Sequence, residues 1–217
     1  MLASHTSRLR CIAAGIVLAA AGTAGADTLR LCHDEEEGAT WRDPERQQQG
    51  LSFVIVRQLE QLAGVHFQLV GRSWKRCLAE LQANLWDGAF AVSFKPSRQA
   101  IGVFPMKGGE PDPALRVRTD GYSLFRLRGS QPGWDGRQFS HVQGMIGAQS
   151  GYSIIDQLHA AKVTVDDSSR NIEVILHKLL AGRLDGAALL TSDGMQTIAS
   201  RREYEDAIER VDPPLVT

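Results

Sequence analysis

The apolar pattern of this chain switches between short β-type runs and helical spacing, and it does so in the same order twice. Residues 29–32 form a strand candidate, followed by a polar, turn-prone stretch through Gly38, Pro44 and Gly50. Phe53, Val54, Val56, Leu59 and Leu62 recur at helical spacing, with Gly64 where a helix would end. Residues 65–70 alternate as a strand, residues 75–84 carry Leu78 and Leu81 on one helical face, and residues 88–94 read as a third strand. The order returns later as a strand at 145–149, a helix at 152–161, a strand at 163–165, a helix at 171–181 and a strand at 186–190. Strands alternating with helices imply a parallel sheet covered by helices, so each half is expected to be an α/β lobe.

The halves also share a local pattern. Leu78, Leu81, Ala83, Asp87, Gly88 and Ala89 match Leu176, Leu179, Ala181, Asp185, Gly186 and Ala187 with the same internal spacing. Each describes an amphipathic helix, a polar turn and a buried strand, which common α/β grammar also produces, although repeated architecture is the favoured reading. Between the halves, residues 122–128 form a strand-like crossover bounded by Asp120-Gly121 and by Gly129, Pro132 and Gly133. This places the first lobe at 27–120 and the second at 121–212, with 213–217 as the start of a return to the first lobe that stops short. A cleft between lobes is a preferred place for a small ligand.

Residues 1–26 read as a secretory signal outside the folded part. His5, Arg8 and Arg10 precede an apolar run from Cys11 to Ala21, and Ala24-Gly25-Ala26 offers small residues to a signal peptidase before Asp27. The expected location is therefore the periplasm. With 24 Lys and Arg against 25 Asp and Glu, the net charge is -1, and no basic cluster points to nucleic acid. The run Glu35, Glu36, Glu37 reads as a solvated loop. Once Cys11 leaves with the signal, Cys32 and Cys77 remain, and in an exported protein they form either a disulfide or two separate buried thiols.

Ligands of open parallel sheets sit beyond the carboxyl ends of the strands, where helix amino termini present free amides. Four segments satisfy this rule: the loop after Cys32, which begins His33, Asp34, Glu35; residues 72–74, ending in Trp74; residues 93–98; and residues 149–153. Ser93 and Arg98 flank a turn containing Pro96 and could offer a hydroxyl and a guanidinium to one anion, since Arg holds carboxylates with paired charge-assisted bonds. Gln149-Ser150-Gly151-Tyr152-Ser153 combines hydroxyls with a glycine that allows close backbone approach, although an N-capping serine would leave the same trace without binding anything. Trp41 and Trp74 could line a ligand or belong to the core.

With these residues in place, the chain resembles the bacterial extracellular solute-binding proteins of the polar amino-acid type, family 3, which serve ABC transporters. The likeness rests on Leu29-Arg30-Leu31-Cys32 followed by Asp34 and Trp41, on Gly50-Leu51-Ser52-Phe53, and on Trp74 before Leu78 and Leu81. It continues through Asp87-Gly88-Ala89, Ser93-Phe94-Lys95-Pro96-Ser97-Arg98, the 149–153 turn, and Leu180-Ala181-Gly182-Arg183-Leu184-Asp185-Gly186-Ala187. The resemblance implies a two-lobed, type II periplasmic-binding-protein fold. It also implies that Arg98 holds a ligand carboxylate supported by Ser93, that Trp41 packs on the ligand, and that Gly151, Tyr152 and Ser153 close from the second lobe. Three departures stand out. Lys95 and Ser97 replace the Thr and Glu of the family's turn, the strand expected to lead to an ammonium-binding Asp ends in Leu190-Thr191 with Asp193 slightly later, and the chain stops at Pro213-Pro214-Leu215-Val216-Thr217.

The expected function is capture of a small polar, carboxylate-bearing ligand by a monomer that hands it to a membrane transporter. A sensory receptor is the alternative reader of the closed form. Catalysis on the same scaffold would need an acid or base from His33, Asp34 or Glu35, yet His141, His159 and His177 stand without a carboxylate pair, and no nucleophile elbow, phosphate loop or zinc motif occurs. The reading is thus a binding protein, not an enzyme, with no cofactor and no metal.

Overall fold

A computed structural model describes residues 27–35 and 51–216. The first lobe opens with β1 (Thr28–Asp34), α1 (Leu51–Ala63), β2 (His66–Arg72), α2 (Trp74–Gln82) and the short β3 (Gly88–Ala89). Its three strands run parallel in the order β2-β1-β3, with Cys32 opposite Val70 on one side and Ala89 on the other. The third strand is much shorter than its apolar run, because Ala91 adopts a left-handed conformation (φ 58) that turns the chain out of the sheet. The chain continues through a 3-10 helix (Pro96–Ala100), the hairpin of β4 (Met106–Lys107) and β5 (Glu110–Pro111), and a second 3-10 turn (Pro113–Leu115).

The second lobe contains β6 (Tyr122–Leu127), a small hairpin of β7 (Gly133–Trp134) and β8 (Phe139–Ser140), then β9 (Met145–Ala148) and α3 (Ile154–Ala160). It finishes with β10 (Thr164–Asp166), α4 (Ile172–Leu180), β11 (Gly186–Leu190), α5 (Thr191–Ala199), α6 (Arg202–Ala207) and β12 (Ile208–Val216). The sheet order is β10-β9-β11-β6-β12. The first three strands are parallel, and β6 pairs antiparallel with both β11 and β12. Residues 213–216 lie in β12, where Val216 pairs with Tyr122 beside the first lobe. The register slips between Val211 and Val216, where Pro213 and Pro214 have no amide to donate to the ladder.

The central strand β11 is buried along its whole length and sorts its side chains by parity. Ala187 and Leu189 face Ile175, Leu176, Leu179 and Tyr204, while Ala188 and Leu190 face Ile146, Ile154 and Leu158. The second core face continues into the first lobe through Trp74, Cys77 and Trp86, so one apolar cluster spans both lobes. A disulfide joins Cys32 to Cys77 (Cα–Cα 5.7 Å) and ties the end of β1 to α2.

The repeated pattern marks equivalent architecture. Asn84 and Gly182 end their helices with left-handed backbone, and the Leu85 and Arg183 amides reach back to the Glu80 and Lys178 carbonyls, closing each helix the same way. Asp87 accepts the Arg30 amide at 2.7 Å, and Asp185 accepts those of Gln143 and Gly144 at 2.6 Å. In both lobes the aspartate before the third parallel strand therefore clamps the entry of the first.

Candidate functional site

Three pieces of the first lobe meet two of the second. From the first come Asp34 at the end of β1, Trp74 opening α2, and Arg98 in the 3-10 helix. From the second come the turn between β9 and α3, carrying Gly151, Tyr152 and Ser153, and Tyr122 at the start of β6. Asp34, Trp74, Ser93, Arg98, Tyr152 and Ser153 all line one cavity of about 1050 Å³. This exceeds the roughly 300–1,000 Å³ of most ligand sites because an apolar flank joins the polar cleft. That flank is lined by Ile101, Leu115 and Val117 together with a T-shaped pair of Phe94 and Phe104 at 5.3 Å. Gly151 and Asp193 are not among the residues that line the cavity, and Trp41 lies outside the described residues.

Arg98 is the central side chain. It is 5% exposed, with its guanidinium 5.4 Å from the centre of the Trp74 ring. It donates to the Ser93 carbonyl at 2.8 Å and, across the cleft, to the Gly151 carbonyl at 3.1 Å. Both acceptors are neutral, and among the described residues no carboxylate lies within ion-pair distance of Arg98. Burial pulls its affinity for the proton below the ordinary range, against the influence of Tyr122 and Asp156. An arginine still remains cationic under such pressure. Ser93 thus supports Arg98 through its main chain, while the residue itself is exposed at the cavity.

Further contacts bind lobe to lobe. The Tyr152 hydroxyl donates to Asp34 at 2.9 Å, with both side chains buried. Lys95 pairs with Asp156 at 2.5 Å, Arg170 with Glu35 at 2.7 Å and Lys75 with Asp167 at 3.4 Å. Gly151 has a left-handed backbone (φ 82), and a Cβ there would stand 2.8 Å from Lys75 Cγ and 3.4 Å from Trp74 Cδ1. Its glycine therefore serves both the turn and the close approach of the lobes. Ser153 occupies the N-cap position of α3 without making a capping bond, and its hydroxyl lies 3.1 Å from that of Tyr122. Burial raises the Tyr122 phenol above its ordinary range, with Ser153 and Arg98 opposing the rise.

Asp193 lies in the first turn of α5 and is 2% exposed, and neither carboxylate oxygen has a hydrogen-bond partner. Burial pushes its pKa up to about 6, opposed by Arg118, while Asp120 and Asp34 add to the rise. The buried Gln149 likewise spends its amide on the Arg170 carbonyl and leaves its own oxygen unpartnered.

Trp74 turns out to be a core residue and a cavity wall at once. Tyr122, the Lys95–Asp156 pair and the Arg118–Asp120 segment escaped the sequence reading. Lys95 was visible only as a departure from a family turn, and Tyr122 only as the first residue of a crossover.

No protein-family model and no curated protein sequence matches the chain. Several solved structures share its fold. A histidine kinase sensor domain with similarity to periplasmic binding proteins superposes with a TM-score of 0.67 at 15% identity, covering 86% of this chain and 77% of that one. An ancestral arginine-binding protein bound to glutamine gives 0.66 at 15% identity, covering 88% and 80%. The GluR0 ligand-binding core from Nostoc punctiforme, in complex with L-glutamate, gives 0.64 at 14% identity, covering 87% and 80%. The chain therefore has the two-lobed α/β fold of the periplasmic binding proteins.

Proposed function

We propose that this protein binds a small polar ligand carrying an anionic group, such as an amino acid or a related carboxylate, by closing its lobes on it outside the cytoplasm. The observation that carries this reading is Arg98, a buried cation lining the interlobe cavity whose hydrogen bonds among the described residues go to neutral carbonyls. A buried charge without an ionic partner is costly, and a ligand carboxylate is the natural complement to a guanidinium. The Trp74 ring, its centre 5.4 Å from the guanidinium, adds a cation–π attraction that helps keep Arg98 at the cavity. Amino-acid complexes among the structural neighbours support the ligand class. The bridged Cys32 and Cys77 and the leader-like residues 1–26 support an exported, oxidising location.

The reading is one of binding without chemistry. His33 makes its ring contact with the Asp34 carbonyl at 3.0 Å, and Asp34 accepts from Tyr152, so the nearest acid and base candidates are engaged in structural contacts. The closed form would be read by a membrane transporter. The histidine kinase sensor domain among the neighbours supports a second reading, in which a membrane receptor reads it instead.

The test is a thermal-shift screen of amino acids and small carboxylates on the purified protein, followed by calorimetry and solution scattering on each hit. A binder should raise the melting temperature, shrink the radius of gyration and remain chemically unchanged. Arg98→Leu should weaken its affinity by at least a hundredfold while the protein stays folded. Equal affinity in Arg98→Leu, or conversion of the ligand, would overturn the proposal.

A further inference from the structure

The cavity that holds Arg98 extends well past its polar end, and the extension is apolar. Phe94, Ile101, Phe104, Leu115 and Val117 all line it, yet none of them belongs to the three packed clusters of the core. Leu115 is 63% exposed and Val117 46%. Recessed apolar surface that the fold itself leaves uncovered is suited to the apolar part of a ligand. One stretch of backbone builds both ends of the cavity. The Arg98 amide donates to the Lys95 carbonyl at 2.9 Å and the Ile101 amide to the Arg98 carbonyl at 3.1 Å. Ile101 therefore caps the 3-10 helix that carries the guanidinium, and Phe94, two residues ahead of that helix, packs edge-on against Phe104.

A cationic group on the same ligand would find the anions of the cavity already engaged. Of the aspartates that line it, Asp34 accepts from the Tyr152 hydroxyl at 2.9 Å, Asp87 from the Arg30 amide at 2.7 Å and Asp112 from the Ala114 amide at 2.9 Å. Asp120 accepts from the Ser192 hydroxyl, and Asp156 is paired with Lys95 at 2.5 Å. Only Asp34 among these is buried, and its bond to Tyr152 is one that joins the lobes. An ammonium there would compete with closure, and at the other four, which are at least partly exposed, an ion pair contributes little. Of the cations that line the cavity, Arg98 is the buried one.

From this arrangement we infer that the ligand is an amphipathic carboxylate, an acid head on an aryl or branched alkyl body, and that it needs no ammonium group. The inference rests on the reading of this protein as one that binds an anion at Arg98. The head takes the guanidinium, and the body covers the flank of Phe94, Ile101, Phe104, Leu115 and Val117. Burying a phenyl group there should tighten binding roughly thirtyfold over an acid that lacks one. An α-ammonium should add nothing, so an arylalkyl acid should bind at least as well as the amino acid with the same ring.

The test is calorimetry on the purified protein with acetate, phenylpropionate, isovalerate, phenylalanine and glutamate, with NMR titration for the weak acids. Phenylpropionate should bind tightest and acetate weakest. Phe104→Ala and Leu115→Asn should each weaken phenylpropionate by about tenfold and leave acetate unchanged, whereas Arg98→Leu should weaken both. Leu115 is exposed and outside the core clusters, so its variant decides the matter even if Phe104→Ala does not fold. Tighter binding of glutamate or phenylalanine than of phenylpropionate overturns the inference and leaves the anion-binding reading standing. Unchanged phenylpropionate affinity in both flank variants does the same. A dimer in sedimentation that Leu115→Asn makes monomeric, with that affinity unchanged, assigns the flank to a second copy and also overturns it. If no acid binds at all, here or in the wider screen, both readings fall.

Discussion

Cutting the Cys32–Cys77 bridge is a perturbation whose size follows from the topology. The bond spans 45 residues of sequence, and chain-entropy treatment of a loop of that length gives about 4 kcal/mol at 25 °C from the narrowed unfolded ensemble. That is a third or more of the roughly 5–15 kcal/mol by which domains are stable. The loop contains α1, β2 and the first turn of α2, so it encloses one edge strand of the three-stranded sheet and the helices on either side of it in sequence. Both cysteines are fully buried, so Cys32→Ala with Cys77→Ala tests the bond more cleanly than a reductant that must wait for opening. Urea unfolding can be followed by tryptophan fluorescence, since Trp74 and Trp86 share the apolar cluster with the bridge. With a denaturant slope of about 2 kcal/mol/M, the midpoint should fall by roughly 2 M. The site should suffer as well, because Asp34 follows Cys32 closely on β1 and Trp74 lies one turn before Cys77. A midpoint shift below about 0.5 M would refute the reasoning, since the bridge would then not be restraining the unfolded chain.

Four further outcomes are expected. Gly151→Ala pushes a methyl into Lys75 and Trp74 and demands a left-handed alanine, so it should cost about 1 kcal/mol of stability in unfolding and weaken ligand closure further in calorimetry. Gly194→Ala places a Cβ 2.6 Å from the Phe125 ring, and thermal unfolding should show a loss of roughly 1–3 kcal/mol despite the better helix propensity of alanine. Lys95→Gln removes the closest interlobe ion pair, and because Asp156 is well exposed the effect should be about 0.5 kcal/mol of closure that disappears in high salt by scattering. Asp193 has a folded proton affinity above its unfolded one, so its stabilising contribution is full below pH 4 and is lost as pH rises through 6. Above that range its ionisation costs on the order of 3 kcal/mol, so Asp193→Asn should raise the melting temperature at pH 8 and leave it nearly unchanged at pH 4.

The two α/β runs were legible because each strand and helix carries its own apolar period. Residues 186–190 were located to the residue, since a fully buried strand between a polar turn and a helix leaves little choice of boundary. The strand expected at 88–94 was not: only Gly88 and Ala89 pair, because the left-handed Ala91 is a backbone event that no apolar pattern announces. The bridge could be named from two cysteines but not decided, as it depends on β1 and α2 meeting in space. At the site, segments could be placed by the rule of strand carboxyl ends, which brought Asp34, Trp74, Arg98 and Tyr152 to one cavity. Pairings between lobes could not, because Tyr152 with Asp34 and Arg98 with Gly151 join residues distant in sequence that carry no mutual signal.

Arg98 and Asp193 make a pair of a different kind. They are buried charges of opposite sign on opposite lobes, and among the described residues neither has an ionic hydrogen-bond partner. They do not neutralise each other, since the cation acting on Asp193 is Arg118. Replacing either by an apolar residue of similar size should cost little stability, as burial of an unpaired charge opposes folding. A fold that holds both is under-neutralised until something else enters. For Arg98 the missing half is an anion that reaches it through the cavity. For Asp193, which is 2% exposed and does not line the cavity, the species small enough to arrive is a proton. The two charges therefore call for separate additions, an anion for Arg98 and a proton for Asp193.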